Sequence, residues 1–134
     1  MPVPAQGRLW RRASFIVAAL LLAYCVWNGF AGAWSQRSAA ETTAQAGQTI
    51  LQVLYGALSL AALITCFRWR RLQPLALIGW VASVGLNGTV ASIVWGRTSI
   101  VVGVVSGLAA VLVAALVAAM LRAGLRGFGD SRPE

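Results

Sequence analysis

The sequence predicts an all-α integral membrane protein with four transmembrane helices in an antiparallel up-down bundle. Three observations carry that prediction. Of the 134 residues, 59% are hydrophobic and only 10% charged, far from the composition of soluble domains. Four runs without Asp, Glu, Lys or Arg (Ala13–Trp34, Gln48–Phe67, Pro74–Trp95 and Ile100–Leu121) can each cross a hydrocarbon core of about 30 Å at about 1.5 Å per helical residue. The 11 basic residues, all Arg, bracket these runs unevenly: Arg8, Arg11, Arg12, Arg68, Arg70, Arg71, Arg122, Arg126 and Arg132 fall on one side, Arg37 and Arg97 on the other. By the positive-inside rule the first side is cytoplasmic, which places both termini inside. The runs lack the apolar–polar alternation that a transmembrane barrel strand needs.

One domain follows, with a basic cytoplasmic N-terminus over 1–12, a transmembrane domain over 13–122 and a short cytoplasmic tail over 123–134. Helices are expected at about 13–34, 39–67, 73–95 and 99–122. The first follows Arg11 and Arg12 and ends near Ala31-Gly32-Ala33, a pattern shared with cleaved secretory signals. A run long enough to span, carrying Tyr24, Trp27 and Asn28 in its second half, favours a retained helix, with cleavage after Ala33 as the alternative.

The second helix has a start signal in Ser38-Ala-Ala-Glu41, which matches a capping box and places the first turn in water. From there Glu41, Gln45, Gln48, Gln52, Tyr55 and Ser59 follow at spacings of three and four, a single stripe on a helix. A polar stripe entering the bilayer must face other helices or a water-filled pocket, because lipid offers it no hydrogen bonds.

The third helix echoes the first. Trp69-Arg70-Arg71 precedes Asn87-Gly88 by the same interval that separates Trp10-Arg11-Arg12 from Asn28-Gly29. The Arg pair beside Trp is what any helix entering from the cytoplasm carries, whereas Asn-Gly within hydrocarbon is unusual. Duplication of a two-helix hairpin accounts for the echo, and convergence on the same interfacial pattern is the competing account. The fourth helix carries Gly103 and Gly107, continued by Ala110, Ala114 and Ala118, a small-residue face suited to internal packing or to a seam with a second copy. Trp10, Trp34, Trp69 and Trp95, at the helix ends, read as interfacial anchors.

A polar layer crosses these helices. Asn28, Gln52, Asn87 and Ser106 each lie 16 residues from an Arg at the inner surface (Arg12, Arg68, Arg71 and Arg122 respectively), which places them at a common depth of about 24 Å. The candidate ligand-binding residues are therefore Asn28, Gln48, Gln52, Tyr55, Asn87 and Ser106, with Tyr24, Trp27 and Trp80 as aromatic walls. The other reading of the same residues is structural: amides that hydrogen-bond across helices and hold the bundle together.

What is missing narrows the chemistry. The chain has no His, and its 2 Cys, Cys25 and Cys66, sit at depths of about 20 Å and about 3 Å, too far apart to pair. With no carboxylate inside the four runs, metal ligation, haem ligation and acid–base catalysis lose their usual residues, so neither a cofactor nor an enzyme is expected. The net charge of +8 is scattered in groups of at most three Arg, which argues against nucleic acid. The expected role is a small non-catalytic accessory, assembly or structural membrane subunit. The alternative is a small carrier or ligand-binding membrane protein with an outward-facing uncharged polar pocket. Expected partners are the lipid bilayer and another membrane protein, or a second copy through Gly103 and Gly107. Arg without Lys amid abundant Ala, Val and Gly fits a GC-rich bacterial source, hence a multi-pass protein of the bacterial cytoplasmic (inner) membrane.

Overall fold

The computed structural model describes residues 5–96 and 99–129, with side chains for residues 7, 9–96 and 99–124. Four long helices follow one another: α1 (Ala5–Ala39), α2 (Thr43–Phe67), α3 (Gln73–Val94) and α4 (Ile100–Gly129). A single 3-10 turn at Arg70–Leu72 joins α2 to α3, and the described residues contain no strand. Each long helix is long and apolar enough to cross a membrane.

Two helices overrun the limits expected for them. α1 starts at Ala5 and continues to Ala39, beyond the expected 13–34, and α4 continues through Arg122 to Gly129. Charge-free runs mark where a chain can sit in hydrocarbon, but the i to i−4 hydrogen bond does not depend on side-chain polarity, so a helix without an interior Pro can continue past them. No Pro lies between Ala5 and Ala39, whereas Pro2 and Pro4 precede the helix.

The capping box also moves. Ser38 lies inside the last turn of α1, its hydroxyl donating to the Ser35 carbonyl at 3.3 Å, so it cannot cap α2. The cap is Thr42, extended at φ −117° and ψ 160°: its hydroxyl accepts from the Gln45 N–H at 3.1 Å, and the Gln45 side-chain oxygen accepts from the Thr42 N–H at 3.3 Å. The same oxygen accepts from the Glu41 N–H at 2.8 Å. Thr-x-x-Gln satisfies the motif as well as Ser-x-x-Glu does, and the continuation of α1 decides between them. α3 begins with Pro74 in its first turn, where the missing N–H has no intrahelical partner to lose.

The helices close into a ring: α1 packs on α2 and α4, and α3 packs on α2 and α4. Buried positions recur at spacings of three and four, as in Gln48, Gln52, Tyr55, Ser59, Ala62 and Cys66 of α2, the period of knobs-into-holes bundles. The core comprises Phe15, Ala18 and Leu22 of α1, Leu77 and Trp80 of α3, and Ala114, Val117 and Leu121 of α4, against Tyr55, Ala62 and Cys66 of α2. At one end Phe15 meets the Phe67 ring edge-on, with centroids 6.0 Å apart, and leaves Gly124 no space for a side chain. Next to it the Gln73 amide donates to the Cys66 sulfur at 3.4 Å. Both Cys residues are free thiols.

The surface is inverted relative to a soluble bundle. Among the described residues, large hydrophobic side chains are exposed along every helix, among them Ile16, Leu20, Ile50, Leu75, Val101, Leu112 and Leu116, while Gln48, Gln52, Ser59, Thr65, Gln73 and Ser83 are buried. A soluble surface rarely carries apolar area on this scale.

Candidate functional site

Gln48 and Gln52, one turn apart on α2, are 1% and 6% exposed and form the centre of a cluster of amides. The Gln48 Nε2 donates to Asn87 Oδ1 at 2.8 Å and to Gln52 Oε1 at 3.3 Å. The Asn87 Nδ2 donates to the same Gln52 Oε1 at 2.8 Å, so α2 and α3 are joined by a closed circuit. The Trp95 indole N–H, just beyond α3, donates to Gln48 Oε1 at 2.8 Å. On the other flank the Gln52 Nε2 donates to the backbone carbonyl of Asn28 in α1 at 3.1 Å. All three side-chain oxygens in this circuit accept a hydrogen bond, as an amide removed from water must if it is not to cost several kcal/mol, of order 2–7.

The Asn28 carbonyl is reachable because of two glycines. A helical carbonyl keeps a second lone pair after bonding the residue four ahead, but the side chain of that residue usually covers it. Here that residue is Gly32, and a Cβ on it would lie 2.8 Å from the Gln52 Nε2. One turn earlier Gly29 faces Gly56 so closely that a Cβ on Gly29 would overlap the Gly56 Cα. Asn28-Gly29-x-x-Gly32 thus brings the α1 backbone against α2 and leaves a socket for Gln52.

Gln48, Gln52 and Asn87 converge through their side chains. Asn28 joins them through its carbonyl alone, and its exposed amide lies beside the Tyr55 hydroxyl, as does the Cys25 thiol. Tyr55 is buried one turn below Gln52 without entering the circuit. Ser106 stands apart, exposed on the outer side of α4. Counting along the axis fixes depth but not direction, and Ser106 points roughly 80° away from the stripe of Gly103, Gly107 and Ala114 that faces the core. Three helices rather than four therefore build the polar layer.

Of the expected aromatic walls, Trp80 is buried at 3%, while Tyr24 and Trp27 turn outward at 63% and 72% because the inner stripe of α1 runs through Phe15, Ala18, Leu22, Gly29 and Ala33. Tyr24, Tyr55 and Trp80 border an apolar cavity of about 310 Å³ between α1 and α4, whose lining includes none of the three cluster amides. Gly103 and Gly107 are buried against α3 of the same chain: a Cβ on Gly103 would lie 2.5 Å from Ile93, and one on Gly107 would overlap the Thr89 hydroxyl.

Trp95 is the member that sequence reasoning missed, having been read as an interfacial anchor. Its signal was available, since it continues the helical series Asn87, Ala91 and Trp95 at intervals of four. Gly32, four residues after Asn28, was the other overlooked signal.

Neutral amides and an indole do not titrate near neutral pH, so the cluster itself can donate and accept hydrogen bonds but cannot move protons. Among the described residues no group of three His, Cys, Asp or Glu is placed to hold a metal. No family model, curated protein or solved structure matches this chain.

Proposed function

We propose that this chain is an up-down four-helix protein of the bacterial cytoplasmic membrane that serves as a non-catalytic accessory or assembly subunit. The observation that carries the reading is the amide circuit, because the buried amides of Gln48 and Gln52 are spent on one another, on Asn87, on Trp95 and on the Asn28 carbonyl. Contact order supports the alternation of helix directions: Phe15 with Phe67 and Gly29 with Gly56 run oppositely along α1 and α2, as Gly85 with Val111 and Ile93 with Gly103 do along α3 and α4. Arg11, Arg12, Arg68, Arg70, Arg71 and Arg122 are exposed at one end and Arg37 at the other, which favours a cytoplasmic location for the first. Arg97, Arg132 and the side chains of Arg8 and Arg126 lie outside the described residues.

The partner face we assign is the outer stripe of α1, where Leu20, Tyr24, Trp27 and Trp34 are all more than half exposed at helical spacing. Aromatic side chains in such a stripe supply interface area at little entropic cost. Purification from native membranes in mild detergent, followed by mass spectrometry, tests the reading. A co-purifying membrane protein that is lost on Trp27→Ala, with the melting temperature of the chain unchanged, is the expected result. If the chain purifies instead with a small molecule that Gln52→Leu releases, the carrier reading replaces this one.

A further inference from the structure

The two faces of the α3–α4 interface differ along their length. At the end near the amide cluster, Gly103 and Gly107 let α4 close onto Ile93 and Thr89, and Val111 fills the space at Gly85. Towards the arginine end the same pair of helices leaves an apolar groove of about 480 Å³. One wall runs from Ala82 through Ile78 to Pro74 on α3, the other from Val111 through Ala115 to Arg122 on α4. Eight residue steps along the first wall and eleven along the second correspond to about 12 and about 16 Å of helix. Half of a hydrocarbon core of about 30 Å is about 15 Å, so the groove is one leaflet deep.

The groove ends in positive charge. Arg122 lines its mouth and is exposed, and Arg70 and Arg71 stand immediately before α3, which supplies the opposite wall. The described acidic residue, Glu41, is at the far end of the bundle, and Asp130 and Glu134 lie outside the described residues. A partner helix would need a complementary stripe through the whole bilayer, whereas this groove stops at Val111, where the two helices meet. An acyl chain needs a single leaflet, and its headgroup then falls at the level of the guanidinium.

We infer that the α3–α4 groove is a binding site for a phospholipid with an anionic headgroup, an acyl chain lying along Ile78 and Ala115 and the phosphate meeting Arg122 with Arg70 and Arg71 nearby. The three cations supply the attraction for the headgroup, and the small side chains of Ala115, Ala118 and Ala119 supply the space for the chain. A zwitterionic lipid fits the groove equally well but gains nothing from the net charge at its mouth.

The inference rests on the membrane-spanning reading, which is tested separately: release of the chain from membranes by alkaline carbonate would remove that reading, whatever the lipid result. The test of the site uses full-length protein, delipidated in dodecyl maltoside and titrated with dioleoylphosphatidylglycerol or dioleoylphosphatidylcholine, with bound lipid read by native mass spectrometry and the melting temperature followed in parallel. Phosphatidylglycerol binds and raises the melting temperature, phosphatidylcholine does so weakly, and Arg122→Gln weakens phosphatidylglycerol about five-fold, the value of one interfacial cation. Ala115→Phe, on an exposed groove wall, abolishes binding and leaves the particle mass unchanged, while Arg37→Gln at the opposite end has no effect. Equal binding of the two lipids, equal losses in Arg122→Gln and Arg37→Gln, or a change in oligomeric mass in Ala115→Phe would each overturn the assignment, the last by making the groove a seam between copies of the chain.

Discussion

Replacing Gln52 by Leu removes three contacts of unequal strength. The bonds from Asn87 at 2.8 Å and to the Asn28 carbonyl at 3.1 Å have good geometry, and the one from Gln48 at 3.3 Å lies at the long limit. Hydrogen bonds between membrane helices average about 0.6 kcal/mol and reach about 1.7, so the two good ones account for about 1–2 kcal/mol. The Asn28 carbonyl keeps its place in α1, but Asn87 is left with a half-buried amide N–H that has lost its acceptor, adding about 1 kcal/mol at the lower end of that penalty. In a bilayer a loss of about 2–3 kcal/mol is expected, with no compensating burial, because Leu is no more apolar than lipid tails. A double-mutant cycle of Gln52→Leu with Asn87→Leu isolates the 2.8 Å pair, and a coupling of about 1 kcal/mol should emerge from reversible unfolding in mixed detergent micelles followed by circular dichroism. If Gln52→Leu unfolds within about 0.5 kcal/mol of the native chain and the cycle shows no coupling, the circuit does not hold these helices together, and the account of their packing fails.

Gly29→Ala should destabilise by about 1–3 kcal/mol, since its Cβ meets the Gly56 backbone and the helices must part, whereas Gly47→Ala, with nothing within 4 Å, should stabilise α2 by up to about 1 kcal/mol. Melting curves of the two variants side by side check the contrast, and a loss of similar size in both would show that the Gly29–Gly56 approach is not close. Trp95→Phe keeps an aromatic ring but removes the donor to Gln48 Oε1, so a loss of about 1 kcal/mol in the same unfolding assay is expected, against none for Trp10→Phe at the other end. In a background without Cys25 and Cys66, a Gln52→Cys thiol should stay unreactive towards a polar reagent added outside, because the position is 6% exposed; rapid labelling would instead reveal an open pocket. In that background a thiol introduced at Ala40 should label from outside and one introduced at Ser131 should not, the reverse result inverting the topology.

The membrane-length helices could be read directly, because hydrocarbon thickness and the cost of burying charge act on each run separately. The α2 stripe was legible for the same reason, a spacing of three and four being enough to put Gln48, Gln52, Tyr55 and Ser59 on one face. Boundaries were less so: the sequence offered two capping boxes four residues apart, and only the continuation of α1 to Ala39 disqualified Ser38. The echo of Asn-Gly was also ambiguous. Gly29 approaches Gly56 and Gly88 approaches Ala110, yet the Asn28 side chain is exposed while that of Asn87 enters the circuit. Equal depth does not imply equal rotation about the helix axis.

By itself, then, the sequence determined four apolar helices, the separation of Arg residues between their ends and the presence of uncharged polar groups within them, since each depends on local composition and on periodicity along one helix. The tertiary structure decided which of those polar groups meet. Ser106 turns out, Trp95 turns in, and Asn28 contributes its backbone because Gly32 leaves room, outcomes fixed by how far each helix is rotated and how closely it approaches its neighbours. Rotation and approach are set by contacts between residues far apart in the chain, such as Gly29 with Gly56 and Thr89 with Gly107, and no single-helix pattern contains them.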